Sequence, residues 1–173
     1  MLAAFAAQTL ATFNPTVPGT AAALATCQAY AVDLTGWLVL AGGYGSGKTH
    51  LAAGIAHAAR GQGLSTHFAV APDLLDHLRA TYAPTSPVSY DAVFEGIRTV
   101  DLLVLDDLGA EAPTPWAAEK LYQLLNYRYI YRLPTVVTTN RDLDVLEGRL
   151  ASRLGDRRLC RHVRLTAADY RRR

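Results

Sequence analysis

The sequence predicts a single α/β domain, a parallel sheet packed against helices, and three observations carry that expectation. The first is Gly42-Gly43-Tyr44-Gly45-Ser46-Gly47-Lys48-Thr49, which fits G-x-x-x-x-G-K-[ST]. An uncharged run of strand length, residues 37–41, precedes it, and Leu51, Ala52, Ile55 and Ala59 follow at helical spacing. The second is the stretch 100–107, rich in branched apolar residues, which reads as a strand buried on both faces and closes on Asp106 and Asp107. The third is length: 173 residues suffice for one such domain with a full core, but not for two.

Taken in order, residues 1–34 form an N-terminal arm and helix, and residues 35–173 form the core. Residues 1–20 read as a loose arm with Phe5, Leu10, Phe13 and Val17 as anchors, broken by Pro15, Pro18 and Gly19. The alanine-rich stretch 21–31 is helical, and Gly36 ends it before the first strand. The helix after the glycine-rich loop runs to Arg60 and stops at Gly61-Gln62-Gly63. Residues 66–70 are a second strand, and Pro72-Asp73 opens a helix with Leu74, Leu75 and Leu78 on one face. Residues 83–87 are a loop, and residues 91–98 a short helix. Thr114 caps a helix with Pro115 in its first position, running to about Tyr131 with Leu121, Leu124 and Leu125 inward. Tyr122, Tyr127, Tyr129 and Tyr131 on it are packing residues or a stacking platform. Pro134 begins a strand over 135–139, a helix spans 143–154 with Arg149 and Arg153 on one face, and residues 161–165 form the last strand. There is no internal repeat.

Half the residues are hydrophobic and 18% are charged, the balance of an ordinary globule. The charge is unevenly spread. Residues 1–32 carry none, whereas residues 149–173 hold nine arginines against Asp156 and Asp169, on a chain of net charge +2. That basic end should meet an anion, whether DNA, a neighbour's nucleotide or only counter-ions in solvent. Cys27 and Cys160 lack a metal spacing and read as buried thiols. The uncharged N-terminus has no basic n-region, and Gln8, Thr9, Thr12, Asn14 and Pro15 interrupt it, so it is no signal peptide. No run approaches the roughly 18–20 apolar residues of a membrane span. A cytoplasmic protein without a membrane partner is the expectation.

The chemistry follows from the loop. Its glycines let successive N–H groups point into one concavity, and the helix N-terminus adds its positive end. Lys48 can then reach the β- and γ-phosphates of a nucleoside triphosphate, and the Thr49 hydroxyl can ligate Mg²⁺. In an open parallel sheet the site lies at the carboxyl ends of the strands. Asp106 is therefore expected beside the loop, holding Mg²⁺ through water or Thr49. Asp107 would polarise the attacking water, and Asn140, at the carboxyl end of the 135–139 strand, would orient it.

The segments G-S-G-K-T-H-L-A (45–52), D-L-L-V-L-D-D-L-G (101–109) and T-T-N (138–140) resemble the AAA+ ATPases. Within that class they look like bacterial helicase loaders of the DnaC/DnaI type, with the IstB transposition ATPases as close cousins and DnaA initiators further away. The resemblance covers about residues 13–172. It implies a P-loop NTPase fold, a three-layer α/β/α sandwich whose parallel sheet has the order 5-1-4-3-2, with Asn140 as sensor 1. It groups His50 with the loop residues Gly42 to Thr49 as nucleotide-binding. Segment 148–154 looks like the family's arginine-finger segment, so Arg153 would act in trans on a neighbour's γ-phosphate, supported by Arg149. Asp169-Tyr170-Arg171 resembles the loaders' C-terminal motif, making Arg171 the sensor-2-like arginine. The family's single-stranded DNA groove maps onto Tyr82, Thr114 and Trp116, residues that equally serve as surface or core packing.

The function the resemblance implies is ATP hydrolysis with Mg²⁺ in an ATP-bound homo-oligomer that acts on single-stranded DNA. The partner would be a replicative helicase or, in the IstB-like alternative, a transposase. A nucleotide-dependent binding module with little turnover is a further alternative. A small-molecule P-loop kinase is disfavoured, because nothing suggests an acceptor site. There are departures too. Asp107 stands where many AAA+ proteins have glutamate, which suggests slow hydrolysis. The sequence also lacks the extra N-terminal domain of full-length loaders, so the chain is either trimmed or an ATPase module alone, and it leaves no room for a helical lid.

Overall fold

The structure is a computed structural model and describes residues 1–146 and 148–170 of the chain. Five strands, β1 (Trp37–Gly42), β2 (Thr66–Val70), β3 (Leu102–Asp106), β4 (Thr135–Thr139) and β5 (Cys160–Leu165), form one sheet. Every pairing is parallel and the order is β2-β3-β4-β1-β5, which read from the other edge is 5-1-4-3-2. The helices are α1 (Ala21–Asp33), α2 (Lys48–Gly61), α3 (Ala71–Ala80), α4 (Tyr90–Arg98), α5 (Pro115–Ile130) and α6 (Gly148–Leu154).

The layering follows from the alternation of side chains along each strand. Leu38, Leu40, Leu102, Val104, Val136 and Val163 enter a core shared with α1, α2 and the arm. Trp37, Val39, Leu103, Leu105 and Val137 enter a second core shared with α3, α4, α5 and α6. With both faces covered, all residues of β3 and β4 are buried, so β3 reads as a continuous apolar run up to Asp106 and β4 as buried valines and threonines rather than as an alternating strand.

Two sequence expectations need correcting. The arm is not loose. Leu2, Phe13 and Val17 are buried in the first core, or beside it, and Phe5 and Leu10 pack against that core. His50 Nε2 donates to Thr9 O at 2.9 Å, and His57 Nε2, two turns further along α2, donates to Phe5 O at 3.0 Å. Between them Gly54 leaves room for the arm's backbone, since a Cβ there would lie 2.7 Å from Leu10 N. A segment laid this closely on a helix cannot easily bury charge, which accounts for the uncharged stretch.

The second correction concerns residues 143–154, which are not one helix. A 3₁₀ turn, Leu143–Val145, is followed by extended backbone at Leu146 (ψ 163°), and α6 begins only at Gly148. The apolar positions 143, 146, 150 and 154 keep helical spacing across the break, so periodicity could not reveal it. Among the described residues no helix is long and apolar enough to cross a membrane.

Candidate functional site

The loop leaves β1 at Gly42 and enters α2 at Lys48, with Gly45 (φ 65°) and Gly47 (φ 97°) in the left-handed region that only glycine adopts without strain. Both are also crowded. A Cβ on Gly47 would meet the Phe13 ring at 2.8 Å, and one on Gly45 would strike the Asp169 carboxylate. Tyr170 N–H donates to Gly45 O at 3.1 Å. The loop is therefore clasped between the N-terminal arm and the segment after β5. Inside it, Ser46 Oγ donates to Gly43 O at 2.9 Å, and Lys48 Nζ donates to Gly42 O (2.9 Å) and Gly43 O (2.8 Å). Lys48 is 6% exposed, so its ammonium is a largely desolvated charge resting on the loop's carbonyls.

A cavity of about 350 Å³ opens on the loop. Tyr44 to His50 and Asp107 line one side, Phe13, Asn14, Val17 and Thr20 the other, and Ala167, Ala168 and Tyr170 close it. That size is within the range of small-ligand sites. His50 lines the cavity, and its Nε2 is bound to Thr9 O, which ties the arm to α2.

Asp106, 58 residues from Lys48 in sequence, is beside Thr49. The Thr49 hydroxyl donates to its two oxygens at 3.0 and 3.2 Å, and Thr138 Oγ1 donates to Oδ1 at 2.6 Å. Burial pushes the Asp106 carboxyl above the usual carboxylate range, an effect the Thr138 hydrogen bond partly offsets. A desolvated carboxylate beside a hydroxyl is a hard-oxygen pair that fits Mg²⁺, which is commonly held by one or two carboxylates together with nucleotide phosphates. Asp107 is half-buried and lines the cavity with φ 54°, a conformation costing a non-glycine residue roughly 1–2 kcal/mol. Its N–H donates to Thr138 Oγ1 at 2.9 Å. Asn140 directly follows β4, between the strands that carry the loop and the acidic pair; it is half-buried and does not line the cavity.

Arg153 on α6 is turned to its own protomer. Nε donates to Asn126 Oδ1 at 2.8 Å, Nη2 to Tyr122 Oη at 3.0 Å and Nη1 to Arg149 O at 3.2 Å. Its guanidinium lies 4.8 Å from the Tyr122 ring centre, and that of Arg149 lies 4.3 Å from the same ring. Tyr122 is thus a packing surface for two arginines. Arg171 lies outside the described residues.

Tyr82 and Trp116, remote in sequence, meet edge to face at 6.4 Å. Tyr82 is 53% exposed and caps a stack that continues to Tyr90 (5.0 Å) and Phe94 (5.4 Å). Arg79 lies 4.8 Å over Trp116, and Lys120 Nζ 5.2 Å over Tyr90. Thr114 is committed to its cap, accepting from Ala117 N at 3.2 Å. Sequence reasoning missed Arg79, Tyr90 and Lys120. The helical spacing of Trp116 and Lys120 was the available signal for one of them. It also missed Thr138, although T-T-N contains it.

The model of the family described as "IstB-like ATP binding protein" matches residues 13–171. The replicative helicase loader DnaC of Escherichia coli strain K12 is 27% identical over 119 residues, 69% of this chain and 48% of that protein. The chain thus spans about half the length of the curated relatives it matches. A crystal structure of the DnaC helicase loader superposes with a TM-score of 0.77 at 25% identity, over 94% of this chain and 99% of that one. The replication initiator DnaA bound to AMPPCP and single-stranded DNA gives 0.76 at 20% identity, over 91% and 50%, which is a likeness of fold.

Proposed function

The chain belongs to the IstB-like ATP-binding family, and from that premise we propose that it hydrolyses ATP and acts on DNA as a replicative helicase loader, working as an ATP-bound homo-oligomer. The observation that carries the reading is the convergence of Lys48, Thr49 and Asp107 on one cavity, with Asp106 bonded to Thr49 directly behind it. Lys48 and the loop N–H groups meet the charge of the β- and γ-phosphates. Thr49 and Asp106 would hold Mg²⁺, whose positive charge offsets that which develops on the transferred phosphoryl group. The Asp107 carboxylate accepts a proton from the attacking water, and Asn140 helps to orient it. Arg153 of a neighbouring protomer stabilises the transition state in trans.

Single-stranded DNA is the polymer the aromatic surface suits. An exposed ring ending a stack, with Arg79 over the adjoining Trp116 and Lys120 over Tyr90, offers a base a stacking face and its phosphates a cation. Similarity to DnaC supports the helicase as partner; membership in the IstB-like family equally supports a transposase on the same engine. A role on DNA accords with a cytoplasmic location. Engagement of Arg153 by its own α5 favours a third reading, low turnover in the isolated protomer. ATP turnover measured across protein concentration, with and without single-stranded DNA, tests these readings. Activity that rises with both supports the loader-type engine. Turnover absent under every condition would leave a nucleotide-dependent binding module.

A further inference from the structure

Thr138 is a fully buried hydroxyl at the end of β4 and does not line the cavity. Its Oγ1 nevertheless contacts both members of the acidic pair, donating to Asp106 Oδ1 at 2.6 Å and accepting the Asp107 N–H at 2.9 Å. A hydroxyl has one proton and two lone pairs, so the two bonds do not compete. They do different things. The first restrains rotation of the Asp106 carboxylate. The second holds Asp107 at φ 54°, the backbone setting from which it lines the cavity.

The neighbouring groups are bound in register. Leu108 N–H donates to Thr138 O at 2.9 Å, and Thr139 Oγ1 donates to Leu108 O at 2.7 Å. The strand that ends beside Asn140 therefore grips the acidic turn at each successive residue. Asp106 has another donor in Thr49, but Thr49 is shared with the metal site and Thr138 is not.

Resting on the ATPase reading, we infer that Thr138 is a positioning residue whose hydroxyl orients both acidic residues, setting metal-dependent nucleotide binding through Asp106 and water activation through Asp107. It does not line the cavity and acts only through these two.

The test uses the full chain with Thr138→Val, which keeps shape and β-branching without the hydroxyl, and Thr138→Ser, which keeps the hydroxyl. Thr138→Ala, read in the same way, serves as a second hydroxyl-free variant. A fluorescent non-hydrolysable ATP analogue is titrated in EDTA and across Mg²⁺ concentrations, and kcat and KM are measured separately. The valine variant should bind the analogue like the parent in EDTA. It should need about 10–100-fold more Mg²⁺ for half-maximal tightening, with kcat reduced by a similar factor and KM changed less, the loss usual for removing the partner of a metal ligand. Serine should restore both. A parent-like Mg²⁺ response and kcat in the valine variant overturns the inference. So does an equal loss in serine and valine variants accompanied by weakened binding in EDTA, which is the signature of packing alone. If the parent chain does not hydrolyse ATP, the hydrolysis reading falls, and the Mg²⁺ titration by itself still decides for or against Thr138.

Discussion

The two walls of the cavity are built on different principles. One is the loop with Lys48 and Thr49, backed by Asp106 and Thr138 at the ends of β3 and β4; all four are buried or half-buried and bonded to one another or to loop carbonyls. The other is the arm, uncharged and held to α2 by two histidines, the Leu10 contact at Gly54 and the Phe13 ring over Gly47. The first wall is an extension of the rigid sheet and presents charge where a phosphate must be met. The second is an uncharged cover of apolar and neutral polar residues, assembled from a remote part of the chain. Affinity for the phosphates should therefore reside in the first, and enclosure of the rest of the ligand in the second.

The largest effect should come from a residue on neither wall. Arg153→Ala removes the guanidinium that would complete a neighbour's site, and such fingers are worth roughly 10³–10⁵ in rate, with the lower end expected in a slow ATPase. ATP binding should survive. Mixing Arg153→Ala with Lys48→Ala should restore part of the turnover, because some interfaces then join an intact loop to an intact finger. If mixing restores nothing although the variants still assemble, Arg153 acts within its own protomer.

Lys48→Ala breaks the polar wall. Loss of its charge-assisted contacts to phosphate should lower ATP affinity by about 10²-fold, taking roughly 1.5–3 kcal/mol per such bond. Unchanged affinity in a nucleotide titration removes the loop from the binding site. Trp116→Ala probes the aromatic surface outside both walls and should weaken single-stranded DNA binding by about tenfold, within the 1–3 kcal/mol of a stacked base. That binding should also weaken as salt rises, since phosphate contacts release counter-ions. DNA binding indifferent to both changes would discard this surface.

The smallest effect sharpens the comparison most. Gly54→Ala favours the helix by up to about 1 kcal/mol, yet its Cβ would meet Leu10 N at 2.7 Å and must displace the arm. ATP affinity should fall a few-fold and the arm should become easier to cleave by protease, while α2 itself is intact. Unchanged affinity together with faster cleavage would show that the arm does not enclose the ligand.

How much of this was legible beforehand depended on how local each feature is. The loop, β3 with its terminal carboxylates and the Thr114–Pro115 helix start were readable because their signals lie within a few consecutive residues: glycine spacing, a branched apolar run, a cap bonding three positions on. The sheet order came through the resemblance carried by those same motifs and was found as expected. The sequence by itself thus determined the phosphate-facing elements and the chemistry they can support. Tertiary structure alone decided that the arm is a wall, that residues 143–154 break at Leu146, that Arg153 rests on α5, and that Thr138 holds both aspartates. Each of these joins positions far apart, Thr9 to His50, Tyr122 to Arg153 and Asp106 to Thr138, or rests on one residue's backbone angle. Such pairings leave no periodicity in the chain, because they arise only when separate elements are packed onto the two faces of one sheet.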